Sequence, residues 1–152
     1  MKTIVIPSDF SLESIQVAET VVRNSKEEVR LVFIHLFHVA DDIQDLLFST
    51  YRKKEYDFVS DEFRKECKML KDLHPDKVQG YKIEFFYGNR LAPFKNFLDY
   101  YETDSIAYSS SYGVPKISKS SLDAVAIINK AGYQIIDVDT IKKPQFSGVQ
   151  QS

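Results

Sequence analysis

Two hydrophobic periods alternate along this chain. Apolar runs of strand length are separated by segments in which apolar residues recur every three or four positions, the spacing of a helix that buries one face. The first run, over residues 3–6, is β-branched and typical of a buried parallel strand, and Pro7 ends it because proline cannot donate to a sheet ladder. Ser11 then predicts a helix N-cap. Ser8 and Asp9 therefore follow the carboxyl end of a strand, where open α/β sheets bind ligands.

The same alternation continues to the end of the chain. Further strands are predicted over residues 29–39, 81–87, 104–108 and 133–138. Further helices are predicted over residues 41–73, with a break near 53–57, over 92–102, and over a last segment that ends at Lys130. Ser120 and Asp123 have the spacing of a capping box ahead of this last helix, and Gly132 is suited to close it.

Five strands with one helix between each successive pair predict an α/β fold: a doubly wound five-stranded parallel sheet with helices on both faces. The sequence contains no internal repeat and no low-complexity linker. We therefore expect one domain over residues 1–140 and a flexible C-terminal tail over 141–152.

Composition excludes several classes of protein. The 152 residues carry 20 basic and 22 acidic side chains, a net charge of −2, which gives no electrostatic reason to expect nucleic acid as a partner. No apolar run is long enough to span a bilayer, so no membrane association is expected and the predicted compartment is the cytoplasm. The single cysteine, Cys67, excludes an internal disulfide and is interpreted as a structural thiol.

The opening motif Ile4-Val5-Ile6-Pro7-Ser8-Asp9-Phe10-Ser11-x-x-Ser14-Ile15-x-x-Ala18 resembles the start of a universal stress protein domain. His38 and Val39 close the second strand as in that family, and Gly88 follows the third. The resemblance covers residues 2–139. It implies an adenine nucleotide alpha hydrolase-like sheet of order 3-2-1-4-5, with a ligand crevice where the first and fourth strands part.

Nucleotide-binding members of that family carry a phosphate motif after the fourth strand: Gly-x-x-Gly, nine residues, then Gly-Ser or Gly-Thr. The corresponding positions here are Ser109, Tyr112, Leu122 and Asp123, although Gly113 could replace the second glycine with a shift of one residue. A carboxylate in the first turn of a helix satisfies the free N–H groups itself and repels a polyphosphate. The sequence therefore predicts that tight ATP binding is lost.

The residues implied to contact the nucleoside match the family pattern better than the phosphate motif does. The resemblance assigns adenine and ribose contacts to Pro7, Ser8, Asp9 and Val39, and residues Ser109, Ser110 and Gly113 complete the candidate crevice. An aspartate can accept hydrogen bonds from sugar hydroxyls, but capping and packing explain the same residue types. No cofactor is therefore expected, with ATP or AMP left as the possible ligands.

The sequence gives little support for a metal site or for a catalytic residue. His35 and His38 are three apart on a strand and point to opposite faces, so no metal site is predicted. No nucleophile has a base that the sequence places beside it, so no catalytic residue is assigned, and a weak ATPase is left open. The aromatic-rich middle of the chain, residues 51–101, is either a core built from large rings or an apolar surface for a partner.

Two functions remain. The first is a regulatory or binding module of the stress response, which acts as a homodimer through the terminal strand, from Tyr133 to Asp139, or through a protein partner. An edge strand that nothing covers is a template for pairing, although aspartates in that strand oppose it. The alternative is an adenine-nucleotide sensor or slow ATPase with an altered site.

Overall fold

The sheet has the predicted strand order. The computed structural model describes residues 1–38, 57–88 and 90–141. Within these ranges all strands are parallel, in the order β3-β2-β1-β4-β5. The strands are β1 (Lys2–Pro7), β2 (Val29–Phe37), β3 (Val78–Tyr87), β4 (Ser105–Tyr108) and β5 (Gln134–Asp137). The doubly wound α/β fold is therefore confirmed.

Helices cover both faces of the sheet. One apolar cluster lies between helices and sheet on each side. The described helices are α1 (Leu12–Asn24), α2 (Asp61–Leu73), α3 (Leu91–Tyr100) and α4 (Ala124–Lys130), and a 3₁₀ turn (Val138–Thr140) follows β5. Apolar residues of α1 and α2 share one cluster, and those of α3 and α4 share the other. None of the helices in the described ranges is long and apolar enough to cross a membrane.

Several boundaries differ from the predicted ones. The last helix begins one residue after Asp123, whose own side chain accepts a hydrogen bond from the Ala126 N–H at 3.3 Å. Asp123 is thus the N-cap, and the capping box that begins at Ser120 was wrong. Gly132 follows the helix with a φ of 82°, the left-handed conformation predicted for a closing glycine. The predicted helical segment over residues 41–56 and the tail over 142–152 lie outside the described residues.

Large rings form much of the core, as one of the two interpretations of the aromatic segment predicted. Phe33 and Phe63 lie edge to face with their centroids 5.3 Å apart on one side of the sheet, and Phe86 and Phe94 do so at 5.4 Å on the other. Tyr100, in contrast, is 78% exposed. Burial raises the pKa of the Cys67 thiol to about 12, which fits a structural rather than a reactive cysteine.

Candidate ligand crevice

The turn between β1 and α1 holds its polar side chains in place with local hydrogen bonds. The buried Ser8 Oγ accepts from the Phe10 N–H at 2.7 Å and lies 2.6 Å from Ser14 Oγ. Phe10 has a φ of 61°, a left-handed conformation that costs energy in a non-glycine residue. Ser11 begins α1 without capping it, because its hydroxyl donates to Asp9 Oδ1 at 2.5 Å instead.

A buried histidine ties this turn to a distant part of the chain. The His35 ring nitrogens lie 2.6 Å from the Ser8 carbonyl oxygen (Nδ1) and 2.7 Å from Ser121 Oγ (Nε2). A carbonyl only accepts, so Nδ1 carries the proton and Nε2 accepts from the Ser121 hydroxyl. Loss of solvation lowers the pKa of His35, opposed by its hydrogen bond to Ser8 and by the charge of Asp9.

We call residues 117–122 the crossing segment, because this stretch leads from β4 over the carboxyl end of β1 to the end of β2. The Leu122 N–H donates to the Leu36 carbonyl at 2.9 Å, and the His38 N–H donates to the Ser120 carbonyl at 2.7 Å. An antiparallel bridge between Phe37 and Ser121 lies between these two bonds. The chain itself therefore covers the end of β1 at the point where the strand order reverses.

Asp9 is also engaged by the chain. The Tyr112 hydroxyl donates to Asp9 Oδ2 at 2.6 Å, and the Ser11 hydroxyl is 3.1 Å from the same tyrosine oxygen. Tyr112 lies after β4 and Asp9 after β1, so this contact closes the crevice between the two strands. Partial burial and the bond to Asp9 raise the pKa of Tyr112, which keeps its hydroxyl a donor at neutral pH.

Three serines after β4 surround a carboxylate of the same chain. Asp139 accepts hydrogen bonds from Ser109 Oγ at 2.9 Å, from Ser110 Oγ at 3.2 Å and from the Ser111 N–H at 2.7 Å. Asp137 accepts from the Ser110 N–H at 3.1 Å. The bond from the Ser111 N–H, followed by the serine hydroxyls, lowers the pKa of Asp139, so the carboxylate stays ionised well below neutral pH.

The residues at the predicted phosphate positions make their contacts within the chain. The Gly113 N–H donates to the Ser109 carbonyl at 2.7 Å, so this glycine closes a tight turn with a φ of 73° and does not present its N–H to a ligand. Leu122 packs against the apolar cluster of α3 and α4. Asp123 caps α4, as described above.

A cavity of about 390 Å³ opens beside the serines, between them and α1. This volume lies within the usual range of small-molecule sites, about 300–1,000 Å³. Glu13 and Asp139 are among its lining residues, and none of the lining residues that the structure describes is basic. The electrostatic character of the cavity is therefore unfavourable for a polyphosphate.

The structure places most of the predicted site residues after two neighbouring strands of the sheet. Pro7, Ser8 and Asp9 lie at the end of β1, and Ser109 lies directly after β4, its neighbour in the sheet, followed by Ser110 and Gly113. Val39 lies outside the described residues. Among residues 1–38, 57–88 and 90–141, no three His, Cys, Asp or Glu side chains are grouped so as to hold a metal ion.

Sequence reasoning missed three participants: His35, Ser121 and Asp139. A serine hydroxyl and an imidazole 2.7 Å apart have the form of a nucleophile and its base. Ser121, however, is only 2% exposed, and its Oγ also accepts from the N–H groups of Ile117 and Ser118. We interpret the pair as structural, since a nucleophile needs access to its substrate.

No protein-family model matches the sequence, and no curated protein matches it. Solved structures do match. The universal stress protein UspA from Lactobacillus plantarum is 14% identical, with a TM-score of 0.57 over 90% of this chain and 96% of its own. The hypothetical protein PH0823 is 16% identical, with a TM-score of 0.56 over 93% and 99%. The hypothetical protein MJ0577 is 14% identical, with a TM-score of 0.50 over 90% of this chain and 94% of its own. The chain therefore has the fold of the universal stress proteins.

Proposed function

We propose that this protein is a regulatory module of the universal stress protein type that acts through dimerisation or a protein partner and does not bind ATP tightly. The proposal rests on the fold and on one observation. The Asp139 carboxylate takes up the donors of residues 109–111, which lie where a phosphate would be bound in the nucleotide-binding relatives that the sequence resembles. An internal anion already satisfies these donors.

The charges around the serines support the same proposal. A phosphate that displaced Asp139 would leave this carboxylate, with its lowered pKa, close to the incoming charge. Like charges repel, so the Asp139 carboxylate beside the incoming phosphate would weaken nucleotide binding.

Isothermal titration with ATP and magnesium tests the proposal. We expect no low-micromolar binding to the wild type. Asp139→Asn removes the charge that occupies the serines, so it should strengthen nucleotide binding relative to the wild type. The matched control is Asp137→Asn, which removes one neighbouring charge but leaves the serine hydroxyls on Asp139. A low-micromolar constant for the wild type would contradict the proposal.

The cavity beside the serines favours a second candidate, an adenine-nucleotide sensor or slow ATPase with an altered site. Its size suits a small molecule, and Ser109 and Tyr112 line it. If this function is correct, ATP, AMP or adenosine raises the melting temperature of the wild type, and Asp9→Ala abolishes the effect. No shift for any of the three at millimolar concentration excludes it.

A further inference from the structure

We propose that His35 is a proton-controlled latch, which holds the crossing segment (residues 117–122) over the carboxyl end of β1 when its ring is neutral and releases the segment when the ring is protonated. The inference does not depend on which ligand, if any, the crevice binds. It rests on the hydrogen bonds that meet at one imidazole ring, between the end of β1 and the crossing segment.

Only one neutral form of the ring satisfies both of its partners. The Ser8 carbonyl cannot donate, so the Nδ1 proton is required there. Nε2 is then an acceptor, and the Ser121 hydroxyl supplies its proton at 2.7 Å. The Ser121 oxygen in turn accepts the N–H groups of Ile117 and Ser118 at 3.1 and 3.2 Å.

Protonation of Nε2 disrupts this arrangement. The ring would then direct an N–H at Ser121 Oγ, whose two acceptor positions are already taken by backbone N–H groups. The serine would have to give up one of those bonds and turn its own proton away, in a site where both residues are 2% exposed. A buried donor left without an acceptor is costly, so the protonated ring favours the state in which the segment has separated.

The surroundings of the His35 ring disfavour its protonated, charged form. Phe10 and Phe37 lie against it, with ring centroids 6.0 and 4.8 Å away. Asp9, on the turn after β1, is the carboxylate whose charge acts on the ring and favours protonation, while burial acts more strongly against it. The loop that leads into and includes the crossing segment carries Lys116 and Lys119, both exposed to solvent.

The sign of the pH dependence follows from the lowered pKa of His35. The docked ring resists protonation, whereas the ring of the separated state has its ordinary pKa of 6.5. Above 6.5 both states are neutral and the latch has its full effect. As the pH falls from 6.5 towards the lowered pKa, the separated state binds the proton first, and docking weakens about tenfold per pH unit.

Release would expose the end of β1 to solvent. In the docked state two backbone bonds fasten the segment to β2, from the Leu122 N–H to the Leu36 carbonyl and from the His38 N–H to the Ser120 carbonyl. Both are lost if the segment separates, while the hydrogen bonds among the strands remain. These two amides therefore report on the latch independently of the sheet.

Hydrogen exchange of the full chain, measured residue by residue by NMR between pH 7.5 and 4.5, tests the proposal. Protection factors, corrected for the intrinsic effect of pH on exchange, should fall about tenfold per pH unit below 6.5 at Leu122 and His38. Amides of β1 and β2 that exchange only through global unfolding expose the same ring and share this slope, so they are distinguished by higher protection at every pH and by a steep loss of protection with added urea. A flat pH profile at Leu122 and His38, or protection at these two amides equal to that of β1 and β2, would overturn the latch.

Two variants separate the ring from its partner. His35→Gln cannot titrate in this range, so the pH dependence at Leu122 should disappear. Ser121→Ala keeps the imidazole but removes its donor, so protection at Leu122 should be low already at pH 7.5. If either variant fails to fold, the wild type still decides. The NMR signals of the His35 ring must titrate with a midpoint below 6.5, at the lower end of the range in which Leu122 loses protection, and a midpoint at or above 6.5 refutes the mechanism.

Discussion

At the scale of single residues, the crevice is held together by side chains that each have two partners. Asp9 accepts from Ser11 with one oxygen and from Tyr112 with the other, and the buried His35 bonds to the turn after β1 and to the crossing segment. Each of these residues joins parts of the chain that the sequence separates by up to 103 positions. Residue types that commonly bind ligands can therefore also hold a site closed through contacts within the chain.

The bond between Tyr112 and Asp9 gives a prediction at this scale. Tyr112→Phe removes the donor and retains the ring. Hydrogen bonds to charged groups contribute about 1.5–3 kcal/mol, and solvent reduces this value because Tyr112 is 37% exposed, so we expect the free energy of unfolding to fall by about 1 kcal/mol. Urea denaturation measures the change. Tyr100→Phe, at a position that is 78% exposed, is the control and should change the stability little.

At the scale of elements, boundaries depend on which side chain takes the free N–H groups of a helix. Ser120 and Asp123 both precede α4, and the spacing alone favoured the serine. In the fold, Ser120 lies in a turn and its carbonyl accepts from the His38 N–H, so the helix begins four residues later, at Ala124. A tertiary contact therefore decided a boundary that a local motif had placed too early.

This difference is testable by a matched pair of substitutions. Asp123→Ala removes the acceptor for the Ala126 N–H, and loss of an N-cap costs about 1 kcal/mol. Ser120→Ala removes a hydroxyl for which the structure shows no capping role, so its effect should stay within about 0.5 kcal/mol. Chemical denaturation of both variants gives the comparison. A larger loss for Ser120→Ala would mean that the capping box forms after all.

The elements that the sequence predicted well are those determined by local chemistry. The β-branched run before Pro7 forms β1, and Gly132 adopts the positive φ that a closing position needs. The pair of His35 and Ser121 could not be predicted, because 86 residues separate them and neither belongs to a motif. Asp139 was assigned to the terminal strand, yet β5 ends at Asp137 and a 3₁₀ turn directs its carboxylate to the serines.

At the scale of the whole molecule, β5 forms one edge of the sheet. Edge strands are templates for pairing, and a two-fold axis is the commonest symmetry of a homodimer. The aspartates of this edge had argued against such pairing. The carboxylates of Asp137 and Asp139, however, both accept hydrogen bonds from residues 109–111 of their own chain, which weakens that objection. We therefore retain a dimer through β5 as part of the proposed function.

Antiparallel pairing about the middle of Gln134–Asp137 would place Gln134 of one copy opposite Asp137 of the other, twice per dimer. Gln134 is exposed, and its Oε1 accepts a hydrogen bond from the Ser105 hydroxyl at 2.9 Å, an acceptor that Gln134→Glu keeps and Gln134→Lys loses. Opposite charges across a strand pair contribute about 0.2–1 kcal/mol, and like charges oppose pairing by a similar amount. Gln134→Lys should therefore strengthen the dimer severalfold and Gln134→Glu should weaken it severalfold. Sedimentation or light scattering over a micromolar concentration series measures both, and a monomer mass for the wild type and the lysine variant alike would exclude this interface.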